Sequence, residues 1–182
     1  MYDPIRLSFC PVTCDALPLL HAWSQLPHVR QWWDSPDSYE SFANLVAPLL
    51  GGQAPRRPFL IEHRGRPIGY IQVFRIQSIP PYWKAYEVDE DAAGIDLYIG
   101  EATYLYRGLG AHIVRRFLDE HVFNDPTITS CIVGPEPENT AAIRAYEKTG
   151  FQHLKTVDIP SLEERQYLMR LPRTAATVLT DT

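Results

Sequence analysis

Three features of the sequence have the residue types and spacing to do chemistry. A strand-like run leads into Gly108-Leu109-Gly110 and then directly into a helical pattern. Glycines there let the backbone bend sharply and let a ligand approach the amides. The free N–H groups of a helix start, with the helix dipole, favour a phosphate or pyrophosphate. The same residues also suit a tight turn that binds nothing, and the run lacks the G-x-x-x-x-G-K-[ST] spacing of a P-loop. Asp96 stands inside the apolar run GIDLYI, where a carboxylate is costly unless paired or hydrated in a site. The alternative is a strand-edge aspartate facing solvent. Tyr146 lies near the end of NTAAIRAYEKTGF, one turn before Gly150, either presented to a ligand or packed in the core beside Ile143.

A second group could recognise rather than react. Adjacent Trp32 and Trp33 cannot both point into one core if their segment is extended. One would then line a pocket, where a flat ring can stack on a sugar; otherwise both pack between helices. Glu87, Asp89, Glu90 and Asp91, with Asp34, Asp37 and Glu101, form either a negative rim or a solvated acidic surface.

The elements that must hold these residues follow from periodicity. IRLSF (5–9) alternates and reads as a strand. A helix over about 15–25 follows, with Thr13 or Asp15 as cap. A stronger helix begins at Ser35 as cap, with Pro36 in the first position. It places Tyr39, Phe42, Leu45, Val46, Leu49 and Leu50 on one face and stops at Gly51. PFLIEHRGRPIGYIQVFRI reads as an antiparallel hairpin. PPYWKAYEVDEDAA has no period and reads as a loop. Then come a strand (94–103), a helix from Leu109, a strand (128–134), a helix (140–149) capped by Asn139 and stopped by Gly150, and two final strands. The order gives a mixed α/β sheet in one domain, residues 1–173, whose strands 94–100 and 128–134 are parallel neighbours across a helical crossover. Residues 174–182 read as a disordered tail.

Composition narrows the function classes. A chain of 182 residues with 45% hydrophobic and 21% charged residues is ordinary globular material. No apolar run approaches the roughly 20 residues of a membrane span, and the N-terminus lacks the pattern of a signal peptide. Three cysteines, Cys10, Cys14 and Cys131, point to reduced thiols in a cytoplasm. Cys10, Cys14 and His21 match no usual zinc spacing, so no metal is expected. A net charge of −5 argues against nucleic acid and suits a cationic small-molecule substrate.

YRGLGAHIV followed by PEPENTAAIRAYEKTGF resembles the GNAT family of acetyl-CoA-dependent N-acetyltransferases, closely over residues 94–151. A broader resemblance, to the aminoglycoside 6'-N-acetyltransferases, is carried by PHVRQWW, GRPIGYIQVF, AGID, FNDPTIT and AIRAYEKTGF. The resemblance implies the GNAT fold, with its parallel strand pair splayed apart. It implies that Arg107, Gly108, Leu109, Gly110 and Ala111 hold the coenzyme A pyrophosphate and that Asn139, Ala142 and Tyr146 border the pantetheine arm. It implies that the main chain of Leu97, Tyr98 and Ile99 holds the pantetheine and polarises the acetyl carbonyl. Tyr146 would then protonate the departing thiolate, since a thiol with pKa about 8.5 is more acidic than a tyrosine at about 10. Asp96 would face the acceptor amine, with Trp32, Trp33 and Glu136 as further acceptor contacts. The implied reaction is direct acetyl transfer to a primary amine, most simply the 6'-amine of an aminoglycoside, by a monomer or weak homodimer. Alternatives are an acyltransferase for a hydroxylysine-type amine in siderophore assembly, whose relatives carry His where Asp96 stands, and a noncatalytic acyl-CoA-binding module.

Two departures stand out. The family loop carries Arg or Gln, then Gly, where this chain has Leu105 and Tyr106. The aminoglycoside group commonly carries an acidic residue where this chain has Gly134, in IVGPEPEN, so Glu136 or Glu138 would have to supply the missing carboxylate.

Overall fold

The computed structural model describes residues 6–50 and 54–173. The ends of the chain, including the expected tail at 174–182, and the Gly51 helix stop lie outside the described residues. Seven strands form one mixed sheet in the order β1-β2-β3-β4-β5-β7-β6. They are β1 (Leu7–Pro11), β2 (Arg57–His63), β3 (Arg66–Arg75), β4 (Ala92–Ile99), β5 (Ser130–Val133), β6 (Gln152–Ile159) and β7 (Glu164–Pro172). The expected hairpin is β2–β3, turned by Arg64 and Gly65 at positive φ.

β4 and β5 are the parallel pair, and their pairing is short. Ala92 faces Ser130, Ala93 faces Cys131 and Gly94 faces Ile132. β4 then continues through Ile95–Ile99 paired only with β3, while β5 ends at Val133. The sheet is therefore open on one side of β4, which is the splay expected of the fold.

Alternation along β4 divides its side chains between two faces. Ala93 and Ile95, joined by Leu97 and Ile99, pack with Ile113, Val114, Phe117, Cys131, Val133 and Tyr146 under α5 (Leu109–Phe117) and α6 (Thr140–Glu147). The opposite face carries Ala92, Asp96 and Tyr98. It is covered by α1 (Leu17–Ser24), α2 (Pro27–Arg30), α3 (Tyr39–Leu50) and α4 (Pro80–Tyr86).

Helix starts correct the sequence reading in two places. Neither Thr13 nor Asp15 caps α1 through its side chain; a 3-10 turn at Cys14–Ala16 leads into it. Ser38, not Ser35, caps α3, its Oγ accepting from the Ser41 amide at 3.2 Å. Ser35 is buried and donates to Ser24 Oγ instead. Of the six apolar residues assigned to one face of α3, Phe42 and Val46 are buried, while Leu45 is 60% exposed.

The largest correction is α4, which lies in the segment read as a loop. Pro80 and Pro81 begin it, where a missing N–H costs nothing. Tyr82 and Tyr86, one turn apart, are buried against the sheet with their rings stacked at 5.4 Å. Glu87 in the left-handed conformation ends it.

Candidate active site

A cleft of about 1260 Å³ runs through the gap beside β4 and reaches both sheet faces. It brings together Asp96, Tyr146, Trp32, Trp33, Glu136, Asn139, Ala142, the strand segment 97–99 and residues 108–111. Arg107 alone of the expected residues is not on its wall; it is exposed.

On the α5–α6 face the cleft is walled largely by small residues: Gly108, Gly110, Ala111, Ala142 and Ala145. Gly108 has φ +73°, a conformation in which a Cβ is strained, and its αL geometry turns the chain into the first turn of α5. Tyr106 also lies at positive φ (58°) and is 94% exposed, at the place where the resembling loop carries glycine. A Cβ on Gly110 would lie 3.5 Å from Ala145, so glycine and alanine set the spacing of α5 and α6. Free amides at a nine-residue helix start, beside a groove lined by Gly110, Ala111, Ala142 and Ala145, fit a pyrophosphate followed by a slender extended arm. α6 begins as expected: Asn139 Oδ1 accepts from the Ala142 amide at 3.1 Å. A cap of this kind contributes about 1 kcal/mol.

Tyr146 is buried in the α5–α6 core and packs on Phe151, yet its residue also lines the cleft. The ring is thus packed in the core, with the cleft at its edge. Burial pushes its hydroxyl far above the usual tyrosine range, and the nearby Asp96 and Cys131 add to the shift. Cys131 itself is fully buried, and its thiol is pushed far up by the same burial. A thiol held in that form is a poor nucleophile.

Asp96 lies on the other face. Its carboxylate accepts from Gln72 Nε2 at 2.8 Å, and Gln72 Oε1 accepts from Tyr70 Oη at 2.8 Å. Desolvation raises the Asp96 pKa; the Gln72 hydrogen bond and the Arg56 charge oppose the rise. Asp96 is part-exposed on the cleft wall, hydrogen-bonded from β3 on a stretch of β4 whose other edge is left unpaired where β5 stops.

Trp33 makes edge-on contacts to Tyr98 at 5.0 Å and Tyr70 at 5.5 Å, and both tryptophans are part-exposed on the cleft wall. α2 is pinned above β4 by His28 Nε2, which donates to the Ile99 carbonyl at 3.1 Å. The Tyr98 ring stacks on Tyr70 at 5.4 Å on this face, so any role of Tyr98 toward a ligand on the α5–α6 face belongs to its main chain.

The acidic loop is not a rim of this cleft. Glu87 pairs with Lys155, Glu90 with Arg170, and Asp91 with Arg75. Asp37 pairs with Arg30, and Glu101 accepts from Trp23 Nε1. The acids on the wall are Asp34, Asp96, Glu136, Glu138, Glu163 and Glu164. Glu164, Gln166, Gln72, Tyr82 and Arg56 were not singled out by the sequence. The one signal available was the spacing of Tyr82 and Tyr86, one helical turn apart. Cys10 and His21 are engaged elsewhere, with Glu62 and the Asp37 carbonyl, and no metal-binding cluster of three His, Cys, Asp or Glu side chains occurs among the described residues.

The GNAT acetyltransferase domain family matches residues 14–159. Aminoglycoside N(6')-acetyltransferase type 1 of Klebsiella pneumoniae is 33% identical over 147 residues, covering 79% of this chain and 73% of that protein. The lysine N-acyltransferase MbtK of Mycobacterium tuberculosis is 26% identical over 167 residues, covering 87% and 74%. The crystal structure of the aminoglycoside acetyltransferase AAC(6')-Ib in complex with coenzyme A and kanamycin superposes with a TM-score of 0.82 at 32% identity, covering 92% of this chain and 95% of that one. With the splayed strand pair, the glycine-led α5 and the Asn139-capped α6 in place, the chain belongs to the GNAT acetyltransferases, and the relatives it resembles over most of its length include their aminoglycoside 6'-N-acetyltransferases.

Proposed function

We propose that this enzyme transfers an acetyl group from acetyl-CoA to a primary amine, the 6'-amine of an aminoglycoside. The observation that carries the reading is the gap beside β4, flanked by Tyr146 on one sheet face and Asp96 on the other. The similarity to proteins named for that activity supports the choice of acceptor.

Bound acetyl-CoA supplies an activated acetyl group on a thiol leaving group. The amides that open α5 hold its pyrophosphate, and the Gly110–Ala142 groove takes the arm. Main-chain groups of 97–99, left without a strand partner on the open side, are placed to hold the arm and polarise the carbonyl. Tyr146 Oη, kept protonated by burial, donates to the departing sulfur. Asp96 accepts a hydrogen bond from the acceptor ammonium, orients it and takes its proton, directly or through water. No step uses a thiol of the protein. The enzyme works as a monomer or weak homodimer in the cytoplasm, where acetyl-CoA is made.

The testing experiment is coenzyme A release with paired 6'-amino and 6'-hydroxy aminoglycosides, with product mass and position determined. Acetylation of the 6'-amino compounds alone is expected, because an amine is far more nucleophilic than a neutral alcohol. Turnover of neither would defeat the acceptor assignment.

A lysine-type acceptor is the second reading. It is favoured by Arg56, whose guanidinium lies 5.1 Å over the Phe74 ring on the acceptor side and could hold a carboxylate. Lysine and hydroxylysine belong in the same assay.

A further inference from the structure

Gly134 stands where the resemblance implies a carboxylate, and the structure shows what fills its place. A Cβ on Gly134 would lie 2.4 Å from Gln166 Oε1 and 2.8 Å from its Cδ. Gln166 is buried and held from both ends. Its Oε1 accepts from Tyr86 Oη at 2.5 Å, and its Nε2 donates to Glu164 Oε2. Tyr82 Oη reaches the same Glu164 oxygen at 3.4 Å. The side chain that occupies the space over Gly134 therefore carries a carboxylate on its far side.

Strand register decides where that carboxylate points. Gly94, Ile132 and Arg170 are register partners across β4, β5 and β7. Side chains an even number of residues along a strand share a face, so Asp96, Gly134, Gln166 and Glu164, two, two, four and six residues from those partners, all lie on the acceptor side of the sheet. Glu164 is half-buried on the cleft wall. Both of its hydrogen bonds among the described residues use Oε2, which leaves Oε1 able to accept from a ligand. Desolvation raises its pKa, with Asp96 adding to the rise and Arg56 opposing it. Two carboxylates within each other's field, in a cleft that takes a cation, provide for two positive charges.

We propose that Glu164, positioned by Gln166, is a second acceptor-site carboxylate: it binds a further ammonium of the acceptor while Asp96 faces the amine that is acetylated. This rests on the reading of Asp96 given above. It makes the preferred acceptor a di- or polyamine whose second ammonium accompanies the reacting one. Glu136 and Glu138, the substitutes expected from the sequence, are exposed beyond the end of β5 and have no such network among the described residues.

The test compares kanamycin with 6-amino-6-deoxyglucose, which offers the same amine without further charges, in wild type and in Glu164→Gln. The variant keeps the shape of the side chain and its bond from Gln166. We expect kcat/KM for kanamycin to fall about tenfold or more, mainly through KM, as for loss of one charged hydrogen bond, with little change for the monoamine or in acetyl-CoA affinity. Gln166→Leu should lower the same ratio, leaving the acetyl-CoA affinity intact. An equal loss for both acceptors, or no loss for either, overturns the proposal. If wild type acetylates neither compound, the acceptor assignment fails separately. The Glu164 claim is then read from calorimetric kanamycin binding to the coenzyme A complex, where unchanged affinity in Glu164→Gln, or no binding to wild type, overturns it.

Discussion

Gln72 and Asp96 are register partners across the β3–β4 ladder, and their side chains are joined by a hydrogen bond of 2.8 Å on the sheet face opposite α5 and α6. The pair does two things at once. It fixes the carboxylate in one orientation, and it offsets part of the cost of keeping a charge there.

Asp96→Asn is expected to damage acceptor use while sparing acetyl-CoA affinity, and to stabilise the fold at neutral pH. The sign follows from the raised pKa. Below the ordinary carboxylate range both folded and unfolded chains hold the proton, so stability is unaffected; as pH rises, the unfolded chain releases it more readily and stability falls. The gain in Tm from Asn should therefore be present at pH 7 and shrink as pH falls toward the ordinary aspartate range. Calorimetric melting at several pH values, beside acceptor and acetyl-CoA titrations, reads both effects. A loss of acetyl-CoA affinity with normal amine saturation would move Asp96 out of the acceptor site.

Tyr146→Phe should retain acetyl-CoA binding and slow the chemical step by roughly 10²- to 10⁴-fold, the usual range for loss of a general acid. The raised pKa keeps the hydroxyl protonated across the working pH range, so wild-type activity should show no alkaline limb from this group. Single-turnover rates are the measurement, because slow product release would mask the step. A change below about threefold would exclude Tyr146 as the acid.

Gly110→Asp should weaken acetyl-CoA binding at least tenfold by calorimetry. A Cβ alone meets only Ala145 at 3.5 Å, an ordinary contact. The expected loss thus comes from the carboxylate, which places a like charge at the helix start where the pyrophosphate binds. Gly110→Ala separates the two causes and should bind nearly as wild type.

Gly100→Ala should destabilise the protein by about 1–3 kcal/mol, the cost of overpacking. A Cβ there would sit 2.1 Å from the Trp23 ring, which lies flat against the end of β4 and donates to Glu101 at 3.1 Å. Because α1 and α2 hang on this contact and on His28, acceptor KM should rise along with the fall in Tm.

The α5–α6 face of the sheet was legible in the sequence because its signals are local. A glycine-led helix start, an asparagine cap and a glycine stop each declare themselves within a few residues, and α5, α6 and the β4–β5 crossover were placed from them. The opposite face was less legible because its contacts are long-range. Gln72 meets Asp96 only through strand register, and Gln166 fills the space over Gly134 from a different strand. α4 was hidden by its prolines and the acids that follow, although the tertiary burial of Tyr82 and Tyr86 makes it a helix. The acidic stretch after it reads by composition as either a rim or a solvated surface, and only its long-range pairs, Glu87 with Lys155, Glu90 with Arg170 and Asp91 with Arg75, show that it turns away from the cleft.

The sheet, open only where β5 stops, acts as a partition with one window. In the proposed reaction donor and acceptor approach that window from opposite rooms, so neither must leave for the other to enter, and a large acceptor can be read by α1–α4 without crowding the thioester. Heritable change is likewise compartmentalised: substitutions at Gly134, Glu164 or Gln166 can alter which amines are accepted while the machinery that presents the acetyl group is inherited unchanged. A new substrate range would be expected to arise by remodelling one wall of the window, with the other wall serving as a fixed anvil.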